Sequence, residues 1–258
     1  MFKFGQNWQT YSLNALDESK LEQAKQALAS LIDQQDLHGK TFIDIGCGAG
    51  LNSISAAMFG ADHIYALDID PQCIAVTTKN VERFLPPGQA GSITAEQLSV
   101  LDSAAMNHIP QAEIVYSWGV LHHTGHMIDA IQKAAALVTP GGLFVIAIYN
   151  KHITSRVWHT IKAIYNRVPS LVQRVMYYLF YGVIFVAKFA ATRRNPLHKE
   201  RGMSFGYDVI DWIGGYPYEY ASIEEIVTLV SKLGFTAKKV VPAEVGTGCN
   251  EFVFVRTS

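Results

Sequence analysis

Two acidic residues flank a glycine-rich turn between residues 41 and 70, an arrangement typical of a site for a small ligand. The stretch reads TFIDIGCGAGLNSISAAMFGADHIYALDID, in which two apolar runs are separated by glycines and an amphipathic segment. Asp44 precedes the first glycine by two residues, and Asp68 ends the second apolar run. Glycine lets a backbone approach a ligand closely, and an acid after the second strand binds ribose hydroxyls.

The spacing of the glycines distinguishes between nucleotide ligands. A dinucleotide fingerprint has the order G-x-G-x-x-G/A. Here the last glycine comes one residue early, and Leu51 takes the position of the third small residue. Asp44 would be poorly placed beside a pyrophosphate but well placed for a cationic amine. With Asp68 on the ribose, the two acids predict a ligand with an amine at one end and a ribose at the other, which is S-adenosylmethionine.

Four motifs in chain order resemble those of class I S-adenosylmethionine-dependent methyltransferases. They are D-I-G-C-G-A-G at 44–50, L-D-I-D-P at 67–71, L-D at 101–102 and Y-S-W-G-V-L-H-H at 116–123. The similarity is greatest to the small-molecule branch typified by ubiquinone-biosynthesis O-methyltransferases. It covers residues 40–150 well and the end of the chain by topology. The motifs are specific as a set, and they imply an enzyme that converts S-adenosylmethionine to S-adenosylhomocysteine.

The resemblance also implies a set of cofactor contacts. In the family, an acid at the position of Asp102 meets the adenine amino group, although Asp102 would equally suit an N-cap of the next helical turn. Trp118 is expected to cover the adenine or the methionine arm. The predicted cofactor-binding residues are Asp44, Gly46, Cys47, Gly48, Gly50, Asp68, Ile69, Asp102, Ser117 and Trp118.

Two adjacent histidines follow the fourth predicted strand and are the predicted catalytic residues. Methyl transfer from a sulfonium is an in-line displacement, so an enzyme mainly positions the nucleophile and removes its proton. A histidine can take that proton at neutral pH. We therefore predict a general base at His123 or His122, with His123 preferred. The alternative is that one of these rings bonds the backbone and only holds the loop.

The order of elements predicts an α/β fold, a doubly wound seven-stranded Rossmann-like methyltransferase sheet with a helical insertion after strand 5. Strands are expected at 41–45, 63–68, 97–101, 114–117, 143–149, 235–242 and 250–255. Four regions follow from this: an N-terminal helical cap (1–39), a cofactor-binding core (40–150), a basic and apolar helical insertion with the substrate lid (151–220), and a C-terminal helix and strands that complete the core (221–258).

The insertion differs from the rest of the chain in charge. The formal charge is −1, yet residues 151–201 hold ten Lys or Arg and one acid, so the remainder is about ten charges negative. Within it, 175–187 is uncharged, shorter than the ~20 residues of a membrane-spanning helix. For 171–191 the alternatives are a helix in the membrane surface, one beside an apolar substrate, and a buried cap or dimer contact.

The end of the insertion, 201–220, is polar, aromatic and rich in glycine, with little periodicity, and it is predicted to be a surface loop serving as the substrate lid. Arg201 is expected to hold an anionic group. Acid and tyrosine side chains would bind or deprotonate a hydroxyl. The predicted substrate-binding residues are Arg201, Asp211, Tyr216, Tyr218 and Glu219.

Cysteine usage and the N-terminus bear on location. Cys47, Cys73 and Cys249 have neither metal-ligand spacing nor a disulfide framework, so no metal is predicted and a reducing compartment is expected. The start MFKFGQNWQT lacks the features of a signal peptide. Its aromatic residues are expected either to fold over the open side of the site or to pack on the domain surface. We predict a cytoplasmic protein with peripheral contact at the inner membrane surface as an option.

Three functions remain open at this point. The favoured one is methylation of a small, apolar or lipid-linked molecule at oxygen, with sulfur or nitrogen as options. RNA or protein methylation ranks lower, because the (Asp/Asn/Ser)-Pro-Pro-(Tyr/Phe) signature of exocyclic-amine methyltransferases is replaced by Ser-Trp-Gly-Val at 117–120, and nucleic acid is an unfavoured partner. A non-catalytic S-adenosylmethionine-binding protein at the membrane surface is the third. The acceptor and the oligomeric state do not follow from the sequence.

Overall fold

The chain forms a seven-stranded sheet with helices on both faces, in the strand order β3-β2-β1-β4-β5-β7-β6. The computed structural model describes residues 4–197 and 204–257. The strands are β1 Thr41–Ile45, β2 His63–Asp68, β3 Ile93–Gln97, β4 Ala112–Trp118, β5 Val138–Tyr149, β6 Phe235–Val241 and β7 Cys249–Arg256. Strands β1 to β5 are parallel, and β7 runs antiparallel between β5 and β6. The predicted fold class is confirmed.

Twelve α-helices lie in the described residues. They are α1 Phe4–Asn14, α2 Glu18–Leu31, α3 Gln34–Leu37, α4 Leu51–Met58, α5 Pro71–Phe84, α6 Pro87–Ala90, α7 Ser103–Met106, α8 Met127–Ala136, α9 Ser155–Tyr165, α10 Ser170–Thr192, α11 Phe205–Gly214 and α12 Ile223–Ser231. Local sequence explains several boundaries. Pro71 starts α5 behind the N-cap Asp70, and Ser222 with Glu225 forms a capping box on α12.

Two hydrophobic layers cover the sheet. One packs α8 and α12 on its first face through residues such as Ile131, Val230 and Phe252. The other packs α2 and α4 on the opposite face through residues such as Leu28 and Ile54. Because β1 and β4 adjoin at the centre of the sheet, the loops that follow them open at the same carboxyl edge. Ligands of such sheets bind at this point, where the strand order reverses.

The third strand lies earlier in the chain than predicted. Strand β3 is Ile93–Gln97, paired with β2 up to the partners Asp68 and Gln97. The prediction of 97–101 was wrong, because it took the apolar Leu98 and Val100 as strand residues. Both are buried in the core, but they lie beyond the end of β2 and therefore have no strand to pair with.

The segment predicted to be a surface loop contains a helix. Helix α11 spans Phe205–Gly214 and buries Phe205, Val209 and Ile213, which lie four residues apart. That spacing places them on one helical face, a signal hidden by the surrounding polar and glycine residues. The division into four regions stays a prediction.

Helix α10 has one covered and one exposed face. Its Tyr181 ring lies 4.9 Å from Phe205 of α11. On the other side Leu171, Val175 and Val186 are exposed. Across residues 4–197 and 204–257, α10 is the single helix whose length and composition would allow it to cross a membrane. The sequence-based expectation that it does not span one stays a prediction.

Candidate active site

The loop between β1 and α4 is a tight turn built by glycines. Gly46 has φ +78°, and a Cβ placed there would lie 2.3 Å from a Val120 methyl, so a larger residue is excluded by space as well as by conformation. The amides of Gly46 and Cys47 both donate to the Leu67 carbonyl, at 2.7 and 3.0 Å. The turn is therefore fixed to the end of β2.

The two predicted acids lie on either side of this turn. Asp68 accepts hydrogen bonds from the amides of Gly48 at 3.0 Å and Asp70 at 2.9 Å. Asp44 is buried and accepts from the Ser53 hydroxyl at 2.7 Å. Burial raises the pKa of both carboxyls, that of Asp44 to about 7, and the charge of Asp68 adds to the rise at Asp44. These carboxyls could hold an amine and ribose hydroxyls.

The other predicted cofactor residues differ in setting. Ile69 is 56% exposed directly after Asp68, which offers an apolar face beside the ribose position. Cys47 is buried against Thr77, Ser117 donates to the Ile45 carbonyl, and Trp118 donates to Glu251. Asp102 caps α7 by accepting from the amides of Ala104 and Ala105. Direct contact of these residues with the cofactor stays a prediction.

Helix α1 lies across the glycine turn and the loops beside it. A Cβ on Gly48 would stand 3.0 Å from the Trp8 indole. The Gly5 amide donates to Asp70 at 3.0 Å, and the Phe4 ring centroid lies 5.1 Å from that of His123. The aromatic N-terminal segment therefore covers the open side of the site, one of the two arrangements expected from the sequence; we call helix α1 the lid.

The two histidines have different surroundings. The Tyr149 amide lies 3.4 Å from Nδ1 of the fully buried His122, and the His122 carbonyl accepts from the Glu219 amide. Nδ1 of His123 donates to the Pro217 carbonyl at 2.6 Å, so its Nε2 carries the lone pair. Burial and then Lys162 lower the pKa of His123 to about 3. His123 is thus neutral under the closed lid, although a low pKa also makes it a weak proton acceptor.

A buried lysine lies beside the histidines and was not predicted. Lys162 of α9 is completely buried, and its ammonium donates to the Trp212 carbonyl. The ammonium lies 4.7 Å from the ring centroid of Tyr218, 5.3 Å from that of Tyr149 and 5.4 Å from that of Trp212. We call these three rings the aromatic box. The sequence indicates this lysine only weakly, as a charged residue on the apolar face of an amphipathic helix.

The predicted substrate residues are partly brought together. Asp211 accepts from the Asn7 side chain at 2.8 Å and faces Lys162, whose charge lowers the carboxyl pKa against the larger rise from burial. Tyr218 belongs to the aromatic box, and the Tyr216 ring lies 5.6 Å from His159. The Glu219 carboxylate accepts from the Met127 amide at the start of α8. Arg201 lies outside the described residues.

The fold and this site define a class I S-adenosylmethionine-dependent methyltransferase. Asp68 offers a carboxylate for ribose hydroxyls, Asp44 one for an amine and Ile69 an apolar face, so the residues present fit that cofactor. The chain belongs to the family described as ribosomal protein L11 methyltransferase (PrmA), whose sequence model matches residues 24–166.

Curated relatives bear the same name. The chain is 34% identical over 116 residues to the ribosomal protein L11 methyltransferase of Hahella chejuensis, a match that covers 45% of this chain and 36% of the relative. It is 42% identical over 74 residues to that of Photobacterium profundum, covering 25% of each chain. The chain thus spans about a third or less of the length of these relatives.

Solved structures share the fold at low sequence identity. Magnesium protoporphyrin IX methyltransferase from Synechocystis, with bound S-adenosylhomocysteine, superposes with a TM-score of 0.61 at 15% identity, covering 98% of this chain and 94% of that one. The N-methyltransferase NodS from Bradyrhizobium japonicum gives 0.58 at 14% identity, with 99% of both chains covered. These likenesses confirm the fold alone.

The family corrects two predictions. A small-molecule acceptor, methylated at oxygen, was the favoured function, and a small molecule was the predicted partner. Both are wrong, because the family and the relatives are named for methylation of a ribosomal protein. The signature whose absence ranked protein methylation low is typical of methyltransferases that act on amines conjugated with a ring. An aliphatic amine has a lone pair localised on nitrogen once it is deprotonated, so the absence of this signature does not count against methylation of such an amine.

Proposed function

We propose that this protein transfers the methyl group of S-adenosylmethionine to an amino group of a protein, with ribosomal protein L11 as the substrate. The family match supports a protein acceptor. The observation that carries the choice of an amine is the setting of Lys162. An ammonium already lies in the aromatic box, where it interacts electrostatically with Asp211 and His123. Aromatic faces and a carboxylate are the groups that stabilise an ammonium.

The cofactor supplies a methyl group on a positively charged sulfur, a leaving group that needs no protonation. The chain's own residues then have two tasks, to orient the amine and to remove its proton. An amine attacks only in its neutral form, so a desolvated site that lowers the amine pKa favours reaction. Because Nδ1 of His123 donates to Pro217, the proton acceptor we propose is its Nε2. Asp211 would hold the incoming ammonium before its proton leaves.

The test uses purified protein, recombinant ribosomal protein L11 and S-adenosylmethionine with a trideuterated methyl group. We expect label on an amino group of L11, located by peptide mass spectrometry. The variant Asp68→Asn should lose the label, whereas Asp129→Asn, an exposed acid paired with His126, should keep it. Cofactor binding by the native protein without label on L11 would reject L11 as the substrate.

A cytoplasmic location agrees with a substrate from the ribosome. The finer prediction of attachment to the inner membrane surface through 171–191 is a separate matter. It is supported by the exposed apolar face of α10 and by the neighbouring Arg174 and Lys188. Co-sedimentation with vesicles of anionic and of neutral lipid would test it. Equal recovery of the protein in the supernatant with and without either vesicle would reject it.

A further inference from the structure

We propose that Lys162 is a methyl acceptor in its own right, so that the protein methylates the ε-amino group of this lysine within its own chain. The inference rests on the proposed amine methylation and extends it to a modification site inside the molecule. Its basis is the place of Lys162, whose ammonium lies in the aromatic box beside Tyr149 at the end of β5.

The position of the ammonium follows from its neighbours. Tyr149 ends β5, and its ring lies 4.1 Å from His122 and 5.5 Å from His123 between centroids. The same Tyr149 ring lies 5.3 Å from the Lys162 ammonium. The amine, the histidine pair and the end of β5 thus form one cluster beside the loop that follows β4, where ligands of this fold meet their reaction partners.

The surroundings make this amine nucleophilic. Burial lowers the pKa of Lys162 to about 7, and Asp211 and Cys249 offset only part of that effect. The neutral fraction near pH 7 therefore exceeds that of an exposed lysine by a factor on the order of a thousand. The aromatic box would also accept the product, because a methylated ammonium keeps its charge and its attraction to ring faces.

The lid covers both the glycine turn and Asp211. Trp8 lies on Gly48, at the turn that the cofactor must contact, and Asn7 of the same helix donates to Asp211. Displacement of Trp8 by the cofactor would therefore also loosen the contact that covers Asp211. Since Asp211 faces Lys162, lid movement links occupation of the cofactor site to exposure of the acceptor amine.

The step balances without a further reactant. The lone pair on Lys162 Nζ forms the new N–CH₃ bond while the S–CH₃ bond of S-adenosylmethionine breaks, and its electron pair stays on sulfur in S-adenosylhomocysteine. The positive charge of the sulfonium passes to the methylated nitrogen, which stays an ammonium within the aromatic box. The transfer changes no oxidation state, so it requires no oxidant or reductant.

The experiment measures the methylation state of one peptide. Cleavage after arginine releases Val157–Arg167, in which Lys162 is the single lysine. After incubation with the trideuterated donor we expect one label on Lys162, at a rate independent of protein concentration. Lys151, an exposed lysine paired with Glu225, serves as the internal control and should stay unlabelled. In the variant Lys162→Arg cleavage also occurs after residue 162, and neither of the resulting peptides, 157–162 and 163–167, should carry label.

A second readout needs no cofactor. In the free protein, NMR of ¹³C-labelled lysines should show one side chain with a titration midpoint well below the ordinary lysine range, and Lys162→Arg should remove that signal. An ordinary titration for Lys162 would overturn the proposal. So would methylation of added L11 with Lys162 unlabelled, a result that leaves the proposed function standing. Loss of both labels in a protein that binds the cofactor would instead reject the proposed function.

Discussion

The indole of Trp8 lies against the glycine turn at Gly48, so closely that a Cβ on this glycine would stand 3.0 Å from the ring. The same helix bonds Asp70 through Gly5 and Asp211 through Asn7. One helix therefore contacts both the glycine turn and Asp211. In this arrangement the lid is closed over the turn at Gly48, and we expect a ligand that reaches Gly48 to move Trp8.

Cofactor binding should change the fluorescence of Trp8. Displacement from Gly48 places the indole in a different environment, so S-adenosylhomocysteine should shift or quench the emission of the native protein. In a Trp118→Phe background, which removes the other tryptophan predicted at the cofactor, Trp8→Phe should remove most of this change. Trp158→Phe is the matched control, because Trp158 packs on Phe180 and Trp212 in the insertion. A signal unchanged in Trp8→Phe would contradict movement of the lid.

Asp68→Asn should weaken cofactor binding by about 10- to 100-fold, since a charged hydrogen bond contributes roughly 1.5–3 kcal/mol. Asparagine keeps the shape of the side chain and one acceptor but cannot accept two hydroxyls with a full charge. Isothermal titration with S-adenosylhomocysteine measures the effect, and the melting temperature of the free variant reports any loss of folding. If Asp68→Asn bound the cofactor with native affinity, Asp68 would not be a ribose ligand.

Titration of the Asp44 carboxyl should make the free energy of unfolding decrease as the pH rises from about 4 to about 7. Its pKa in the folded protein, about 7, lies above the ordinary value of 3.8, so in this range the folded state keeps a proton that the unfolded state releases. Each pH unit that separates the folded from the unfolded pKa corresponds to about 1.4 kcal/mol of stability. Asp44→Asn resembles the protonated acid and should lack this decrease. Denaturant unfolding of both proteins across the range measures the difference, and parallel curves would refute the buried titration.

His123→Ala should lower turnover about 10²- to 10⁴-fold, the usual contribution of a positioned base, with cofactor affinity unchanged. His122→Ala should instead act through stability, because that ring is buried against Tyr149. Single-turnover methylation and thermal unfolding separate the two effects. If His123→Ala turned over at the native rate, the hypothesis that His123 is the general base would be rejected.

Lys162 and Asp211 should be coupled energetically. Lys162→Met removes the group that favours the ionised form of Asp211, so ionisation of the Asp211 carboxyl should destabilise this variant more than the native protein. Adding Asp211→Asn removes the charge left behind, so the double variant should be less destabilised than the sum of the single changes. Urea unfolding of the four proteins gives the coupling, and simple additivity would show that the two groups act independently.

The main elements were predictable because their signals are local. The alternation of apolar runs with glycine turns placed β1 and β2 at their observed bounds, and Ser222 with Glu225 marked the start of α12. Strand β3 was misplaced because Leu98 and Val100 are buried without pairing. Apolar character reports burial, and it identifies a strand only when a partner strand lies alongside.

By itself, the sequence determined β1 and β2, the glycine turn between them and the acids at its two sides, since each depends on residues close together in the chain. Only the tertiary structure decided what surrounds the predicted base. Phe4, Lys162 and Pro217 reach the histidine pair from the lid, α9 and the segment after α11. These elements are far apart in sequence, and no local pattern indicates that an ammonium on an apolar helix face will be enclosed by rings from β5, α11 and the segment after α11. Burial creates the lowered pKa values and the aromatic box, and burial is a property of the folded chain.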